Sequence, residues 1–487
     1  MKYRVIGIVT VLLMLITAFA AARLDRDHVP VRVHQHVTAR QPDTGCTCDG
    51  TELCTHLPLI LIETGGEDIP GVPMTTGSGE EIGFTATSEG DTMLAARCAI
   101  MSDDTHNHHP SDQPDLESDI LIRIRGNSSR YYEKKGYLLR LTSNDGSYRR
   151  EGVMGMAPHY EWALHGPFLD KSLIRNYMWY NLAGEFMGYA PNVRFCELMI
   201  NGEYKGLYVM TETITNGEDS RVNVSEPIEG MDKTGYVVRL DRGSSTALKN
   251  IDTFTHYAYR HFQQLDIQYP RSGDLSQTLA DAIRHDFSAF EKSLYSFDYN
   301  TPKYGYHHDI DIRSFVDYFI INEFTTNYDA GALSTYLYRD IGGKYKMVIW
   351  DFNSACDNFR YSTIDPHQFE MQDNVWFFML TKDERFTDQI IERYRELRQS
   401  YLNERYLYQY IDETVTYLGP AIERNFDVWG STFEQNLIRP AERNPRSHDE
   451  AVAQIKDFIS ERGAWLDEHI GVIRQYSHKS KNKKFNH

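Results

Sequence analysis

Residues 315–340, FVDYFIINEFTTNYDAGALSTYLYRD, and IWDFN at 349–353 decide how this chain folds. Phe315, Val316, Phe319, Ile320 and Phe324 recur at three- and four-residue spacing, which predicts a helix over 312–324 with one apolar face. A polar loop, 325–331, follows and carries Asp329. Two β-type runs, 334–339 and 344–349, turn around Gly342-Gly343, and the second ends in Trp350-Asp351-Phe352-Asn353. A carboxylate on a loop after a helix and a second at the end of the next hairpin is the order of parts in a phosphoryl-transfer site. One carboxylate accepts or orients a hydroxyl proton, and the other holds Mg²⁺ against nucleotide phosphates. Two aspartates 22 positions apart also fit a helix cap and a turn residue, and spacing does not choose between these readings.

Towards the N-terminus the pattern turns to strands. Residues 59–62 and 120–125 read as β, the latter with Ile122 and Ile124 inward and Arg123 and Arg125 outward. The turn Arg125-Gly126-Asn127-Ser128-Ser129 then leads to a strand at 136–142 that is preceded by Lys134 and Lys135. Backbone N–H groups of such a turn cradle phosphate oxygens and a neighbouring lysine reaches the same group, although an ordinary solvated hairpin has the same look. Residues 170–187 predict a helix with Asp170 as its N-cap, Gly188 as its stop, and Arg175 and Glu185 as its functional charges. Asn201-Gly202 between 194–200 and 203–211 is a strong hairpin signal.

The 487 residues, 41% apolar and 13% aromatic, suffice for one large core or two moderate ones. A net charge of −18 excludes general nucleic-acid binding and favours basic partners. Lys2 and Arg4 precede an apolar run over 5–22, which reads as an export signal, cleaved or kept as a membrane anchor. Residues 23–56 read as a linker and 476–487 as a basic tail. Cys46, Cys48, Cys54, Cys98, Cys196 and Cys356 form an even set suited to disulfides after export. The Cys46, Cys48, Cys54 cluster lacks CxxC spacing and a fourth nearby ligand, so it does not read as a zinc site, and the His-rich stretch 102–115 reads as a solvated loop.

Six segments, taken together, resemble the CotH kinase family: RIRGNSSRYYEKKGYLLRL (123–141), LDKSLIRNYMWYNLAGEF (169–186), FCELMINGEYKGLYVMTE (195–212), GYVVRLD (235–241), the opening stretch 315–340, and IWDFN. The resemblance spans about residues 57–359, and DFISERGAWLDEHI (457–470) is in the same style. It implies an α+β, divergent protein-kinase-like fold over 57–475, with a β-rich N-lobe at about 57–240 and a helical C-lobe at 241–475. It further implies an exported or surface protein that uses ATP and Mg²⁺ to phosphorylate Ser/Thr hydroxyls of a Ser/Lys/Arg-rich protein partner. Asp329 is then the catalytic carboxylate, and Asp351 and Asn353 the metal ligands. Lys134, or Lys135 one position on, is the phosphate lysine. Arg125, Gly126, Asn127, Ser128, Ser129, Glu185 and Glu212 complete the nucleotide site. Two departures stand out: Asn353 replaces the second Asp of the family's WDFD, and Ser334-Thr335 replaces an Asn. They keep open an inactive family member that serves in surface binding or coat assembly. A carbohydrate-acting enzyme using Glu212 and Asp241 is a third reading.

Overall fold

A computed structural model describes Met14 and residues 46–217, 221–254 and 264–478. Apart from Met14, the export or anchor segment lies outside the described residues, as do most of the predicted linker and residues 479–487 of the tail. Among those described, no helix is long and apolar enough to cross a membrane.

Seven strands of the N-terminal region close into a barrel: β1 (Leu59–Glu63), β2 (Leu94–Met101), β3 (Leu116–Arg125), β4 (Gly136–Thr142), β5 (Glu161–His165), β6 (Val193–Ile200) and β7 (Glu203–Glu212). Their order around the barrel is β1-β6-β7-β5-β4-β3-β2, antiparallel except for the β1–β6 pair. Closure leaves no free edge. Alternation fills the inside: Ile120, Ile122 and Ile124 of β3 are buried together with Leu139, Trp162 and Leu198. Arg123 and Arg125 fall on the other face, as the period of two requires. The β6–β7 turn places Asn201 at φ 50° and Gly202 at φ 75°, the left-handed pair of a type I′ hairpin.

A second sheet is antiparallel, β9 (Asn250–Ile251), β10 (Gln264–Tyr269), β8 (Tyr236–Asp241), β11 (Thr335–Arg339) and β12 (Lys346–Val348), in that order. Because β8 pairs with β11, the expected lobe boundary at 240/241 cuts through the end of a strand rather than a linker. The main core is likewise shared. It joins Tyr177, Trp179 and Leu182 of α1 (Arg175–Gly184) to Phe319 and Phe324 of α3 (Ile312–Thr325) and Ile459 of α8 (His448–His469). The mixed α+β class, strand-rich first and helical later, is as expected. Further α-helices among the described residues are α2 (Gln277–Tyr295), α4 (Phe377–Leu380), α5 (Glu384–Arg398), α6 (Glu404–Leu418) and α7 (Pro420–Trp429).

Helix α3 starts where Asp311 accepts the Ser314 N–H at 3.1 Å, and every residue from Phe315 to Thr325 is buried. The predicted one-sided apolar stripe is thus a central helix covered all round. Its polar members are satisfied: the buried Glu323 pairs with Arg462 of α8 and accepts the Met371 N–H at 2.8 Å. Helix α1 is shorter than the expected 170–187. Asp170 lies five residues ahead of its first turn and accepts the Arg175 N–H at 2.9 Å.

Of the expected linker, 23–56, the described part is fastened to the β2–β3 loop by the backbone pairing of Thr55 with His108, at 3.0 and 2.6 Å. Thr55 and His56 are both buried.

Candidate active site

A cleft of about 590 Å³ opens where the Arg125 end of the barrel meets the second sheet, a size that accommodates a small-molecule ligand. It gathers the ends of β3, β5 and β8, the 126–130 turn, the loop after α3 and the segment after β12. Asp329 and Asp351, joined in the sequence only by order, both line it.

Asp351 is held at φ 60°, a left-handed backbone that Asp and Asn tolerate better than most residues. Helix α1 fixes it there. The Tyr180 hydroxyl accepts the Asp351 N–H at 3.0 Å, and the Asn176 side-chain oxygen accepts the Phe352 N–H at 2.8 Å. Arg175 donates to the Ala355 carbonyl at 2.9 Å and pairs with Asp170 at 2.6 Å, with both charges buried. The segment 169–186 therefore anchors IWDFN, with Asp170, Arg175 and Asn176 in positioning roles.

Asn353 lines the cleft, but its amide donates to Asp351 Oδ1 at 2.6 Å while its oxygen accepts from Asn176 at 3.2 Å. In this orientation Asn353 steadies Asp351 and turns its own oxygen away. At Asp329, burial first and the Asp351 carboxylate second push the carboxyl up to about 7, with Arg242 acting in the opposite sense. The Asp329 carbonyl accepts the Ala332 and Leu333 N–H groups at 3.1 and 2.7 Å, closing the loop behind it.

The phosphate-type turn is also at the cleft. Gly126 has φ 107°, a conformation that L side chains rarely adopt, and a Cβ there would lie 1.9 Å from Ser129 Oγ, so any other residue would be strained and would have to displace that hydroxyl. Arg130 donates back to the Gly126 carbonyl at 2.6 Å. Arg242 faces the Asn127 carboxamide, which in its bonding orientation accepts from Nη1 and Nε at 2.7 and 2.8 Å, and also contacts Asp241 at 3.0 Å. Arg125 lies over the Trp350 ring, 5.2 Å from its centroid.

The sequence reading placed Arg125 with Lys134 or Lys135 here; Arg125 lines the cleft, and its other cations are arginines. Arg123, Arg125, Arg130, Arg239, Arg242 and Arg360 line the cleft against four aspartates, Asp170, Asp241, Asp329 and Asp351, in a chain of net charge −18. Burial lowers Arg123 to about 10. Lys134 does not line the cleft. It is 1% exposed, donates to Asn425 Oδ1 of α7 at 2.6 Å, and lies 5.1 Å from the Tyr208 ring centroid. Burial holds its ammonium pKa well below the usual range. Lys135 turns outward and donates to the Arg130 carbonyl at 2.7 Å. Glu185 caps the far end of α1, and Glu212 is buried where it accepts the Asn192 N–H at 2.9 Å; neither lines the cleft. Lys134→Met should therefore change nucleotide affinity by less than about threefold, below ~0.7 kcal/mol, in a fluorescent-nucleotide titration. A larger loss would put the ammonium back among the phosphate contacts.

Sequence reasoning also missed His165, at the end of β5, which lines the cleft and whose imidazole pKa is lowered by burial, with the Asp351 carboxylate and Asn353 acting in the opposite sense. Only the Arg123/Arg125 alternation signalled the arginine wall. Arg242 and Arg360 follow no local pattern and arrive through the tertiary fold.

Fold and site define an α+β protein whose cation-lined cleft presents two opposed carboxylates. The chain belongs to the CotH kinase family: the family model, CotH kinase protein, matches residues 122–466, which include both carboxylates and the turn. No curated protein matches it significantly. Membership indicates a kinase-like function, and a kinase family implies ATP as a substrate.

Proposed function

We propose that the protein is an exported kinase that transfers the ATP γ-phosphate, with Mg²⁺, to Ser or Thr hydroxyls of a secreted, coat or surface protein. The observation that carries this is the meeting of Asp329 and Asp351 in a cleft walled by six arginines. Arginine suits the task, because its planar fork donates two parallel bonds to phosphate oxygens.

The donor set fits the cation. Mg²⁺ takes one or two carboxylates plus substrate phosphate oxygens, and Asp351 offers a carboxylate at a backbone fixed by α1. Asn353 offers an oxygen once its amide turns. When bound, the ion neutralises phosphate charge. Arg125, Arg242 and the 126–129 turn bind and orient the phosphates, and Tyr328, stacked on Phe359 at 3.7 Å, gives a flat aromatic surface beside them. Asp329 accepts the hydroxyl proton, for which a carboxyl pushed up to about 7 is suited, since about half of it is ionised at neutral pH and the carboxylate is basic enough to take the proton.

A basic, Ser-bearing partner matches the acidic surface, and the chain's own tail around Ser480 has that composition. The second reading, a binding or coat-assembly protein that does not transfer phosphate, draws on one contact, the Asn353 amide on Asp351. Incubating the full chain with Mg²⁺, labelled ATP and a Ser/Lys/Arg-rich peptide separates the two.

The same assignment fixes a pH profile. Transfer requires ionised Asp329, whose carboxyl is pushed up to about 7, so the rate should fall about tenfold per unit below pH ~6 and level off above about pH 8. A profile flat from pH 5 to 8, in turnover measured at saturating ATP, would contradict it.

A further inference from the structure

At the opposite end of the barrel, the β2–β3 loop (102–115) meets the segment 46–56 that precedes β1. We propose that Cys46, Cys48, Cys54 and His109 form a structural zinc site that ties these two segments together. Three thiol sulfurs and one imidazole nitrogen converge so that all four atoms lie within 4.8 Å of one another. In a tetrahedral site with Zn–S of about 2.3 Å and Zn–N of about 2.0 Å, neighbouring ligand atoms are roughly 3.5–3.8 Å apart. The Cys46 sulfur and His109 Nε2 are 3.5 Å apart, so the observed cluster needs little contraction.

The surroundings of the four ligands point to a metal independently of their own spacing. His109 turns Nδ1 to the Asp112 carboxylate, 3.2 Å away, which leaves Nε2 as the lone-pair nitrogen facing the sulfurs. A carboxylate behind the imidazole is the usual means of fixing the tautomer of a zinc-bound histidine. Asp112 also accepts the His109 backbone N–H at 2.7 Å, which sets the ring's base. The Asn107 amide donates to the Cys54 sulfur at 3.3 Å, as a donor to a thiolate would. The two segments are further held by the Thr55–His108 backbone pair and by Ser111 Oγ donating to Glu52 at 2.6 Å.

Four protein ligands leave no open position, so the role is structural. Chemistry in the cleft is out of reach: the loop joins the ends of β2 and β3 remote from Arg125, and the ten residues of β3 span about 30 Å. The sequence argued against zinc for want of a fourth ligand. His109 lies 55 positions beyond Cys54, and only the barrel topology brings it back.

The competing use of the same sulfurs is a disulfide, although all six cysteines are free thiols in the structure. Full-length protein purified without chelator should carry one equivalent of zinc by elemental analysis. Replacement by Co²⁺ under reducing conditions should give thiolate-to-metal charge-transfer absorption and the intense visible bands of a tetrahedral ion. Cys48→Ser and His109→Ala should each abolish the charge-transfer band, whereas His106→Ala should keep it. Asp112→Asn should weaken metal affinity about 10–100-fold. Chelation should lower the thermal midpoint of the wild type and not that of Cys48→Ser, an exposed position whose variant should fold. Protein that takes up neither zinc nor Co²⁺ when reduced, or a disulfide among Cys46, Cys48 and Cys54 in the isolated chain, would overturn the site.

Discussion

Replacing Asp329 with Asn should lower phosphate transfer by roughly two to four orders of magnitude and leave nucleotide affinity within about threefold. A group that accepts a proton in the transition state touches the hydroxyl and makes little contact with ATP, so its loss appears in kcat rather than in binding. The structure adds a second readout. The folded carboxyl sits near 7 against an ordinary value of 3.8, so the folded state holds the proton more tightly than the unfolded chain does. The charge therefore costs no stability at low pH, an increasing amount as pH rises from 3.8, and its full cost above about 7. Removing it should raise stability at pH 8 by on the order of 1–2 kcal/mol, discounted for partial exposure, with little effect near pH 4. A loop-capping aspartate would behave in the opposite way and lose stability on replacement. Inactivity together with gained stability is the signature expected of a strained catalytic group.

Asp351→Asn should weaken Mg²⁺-dependent nucleotide binding by at least about 100-fold, on the order of 3 kcal/mol. Asn is the informative substitution. Asp351 stands at φ 60°, where Asn is tolerated, whereas Ala would add backbone strain to the loss of charge. The Tyr180 and Asn176 bonds that hold the segment involve backbone N–H groups and survive the change. Titration of nucleotide with and without Mg²⁺ isolates the metal contribution. Equal affinities of the wild type and Asp351→Asn in Mg²⁺ would remove Asp351 from the metal site. Together the two variants dissociate catalysis from metal binding.

What the sequence made legible was local. The helix at 312–325, the 193–212 hairpin with its Asn-Gly turn, the alternation of β3 and the carboxylates after α3 and β12 each follow from periodicity or turn chemistry within about 20 residues. Closure of the barrel did not, because β1 pairs in parallel with β6 across more than 130 positions. Where the lysines go did not follow either, for the same reason. Lys134 sits beside the phosphate-type turn in sequence, but α7, almost 300 residues on, reaches back with Asn425 and takes its ammonium into the interior. Arg242 and Arg360 come to the turn from other elements. Asp170 and Arg175, read as an N-cap and a functional charge, form a buried pair with Arg175 bridging to the Ala355 carbonyl. Only the fold shows that this motif exists to hold Asp351.

The central claim is transfer of the terminal phosphate to a hydroxyl. It is tested most directly by incubating the full chain with Mg²⁺ and a Ser/Lys/Arg-rich peptide in the presence of either γ-labelled or α-labelled ATP. Label should appear on peptide serine or threonine from γ-labelled ATP alone, and should be abolished by chelating Mg²⁺ and by Asp329→Asn. Label arriving from the α-position, or tight nucleotide binding with no label transferred to peptide or to the chain itself, would contradict it.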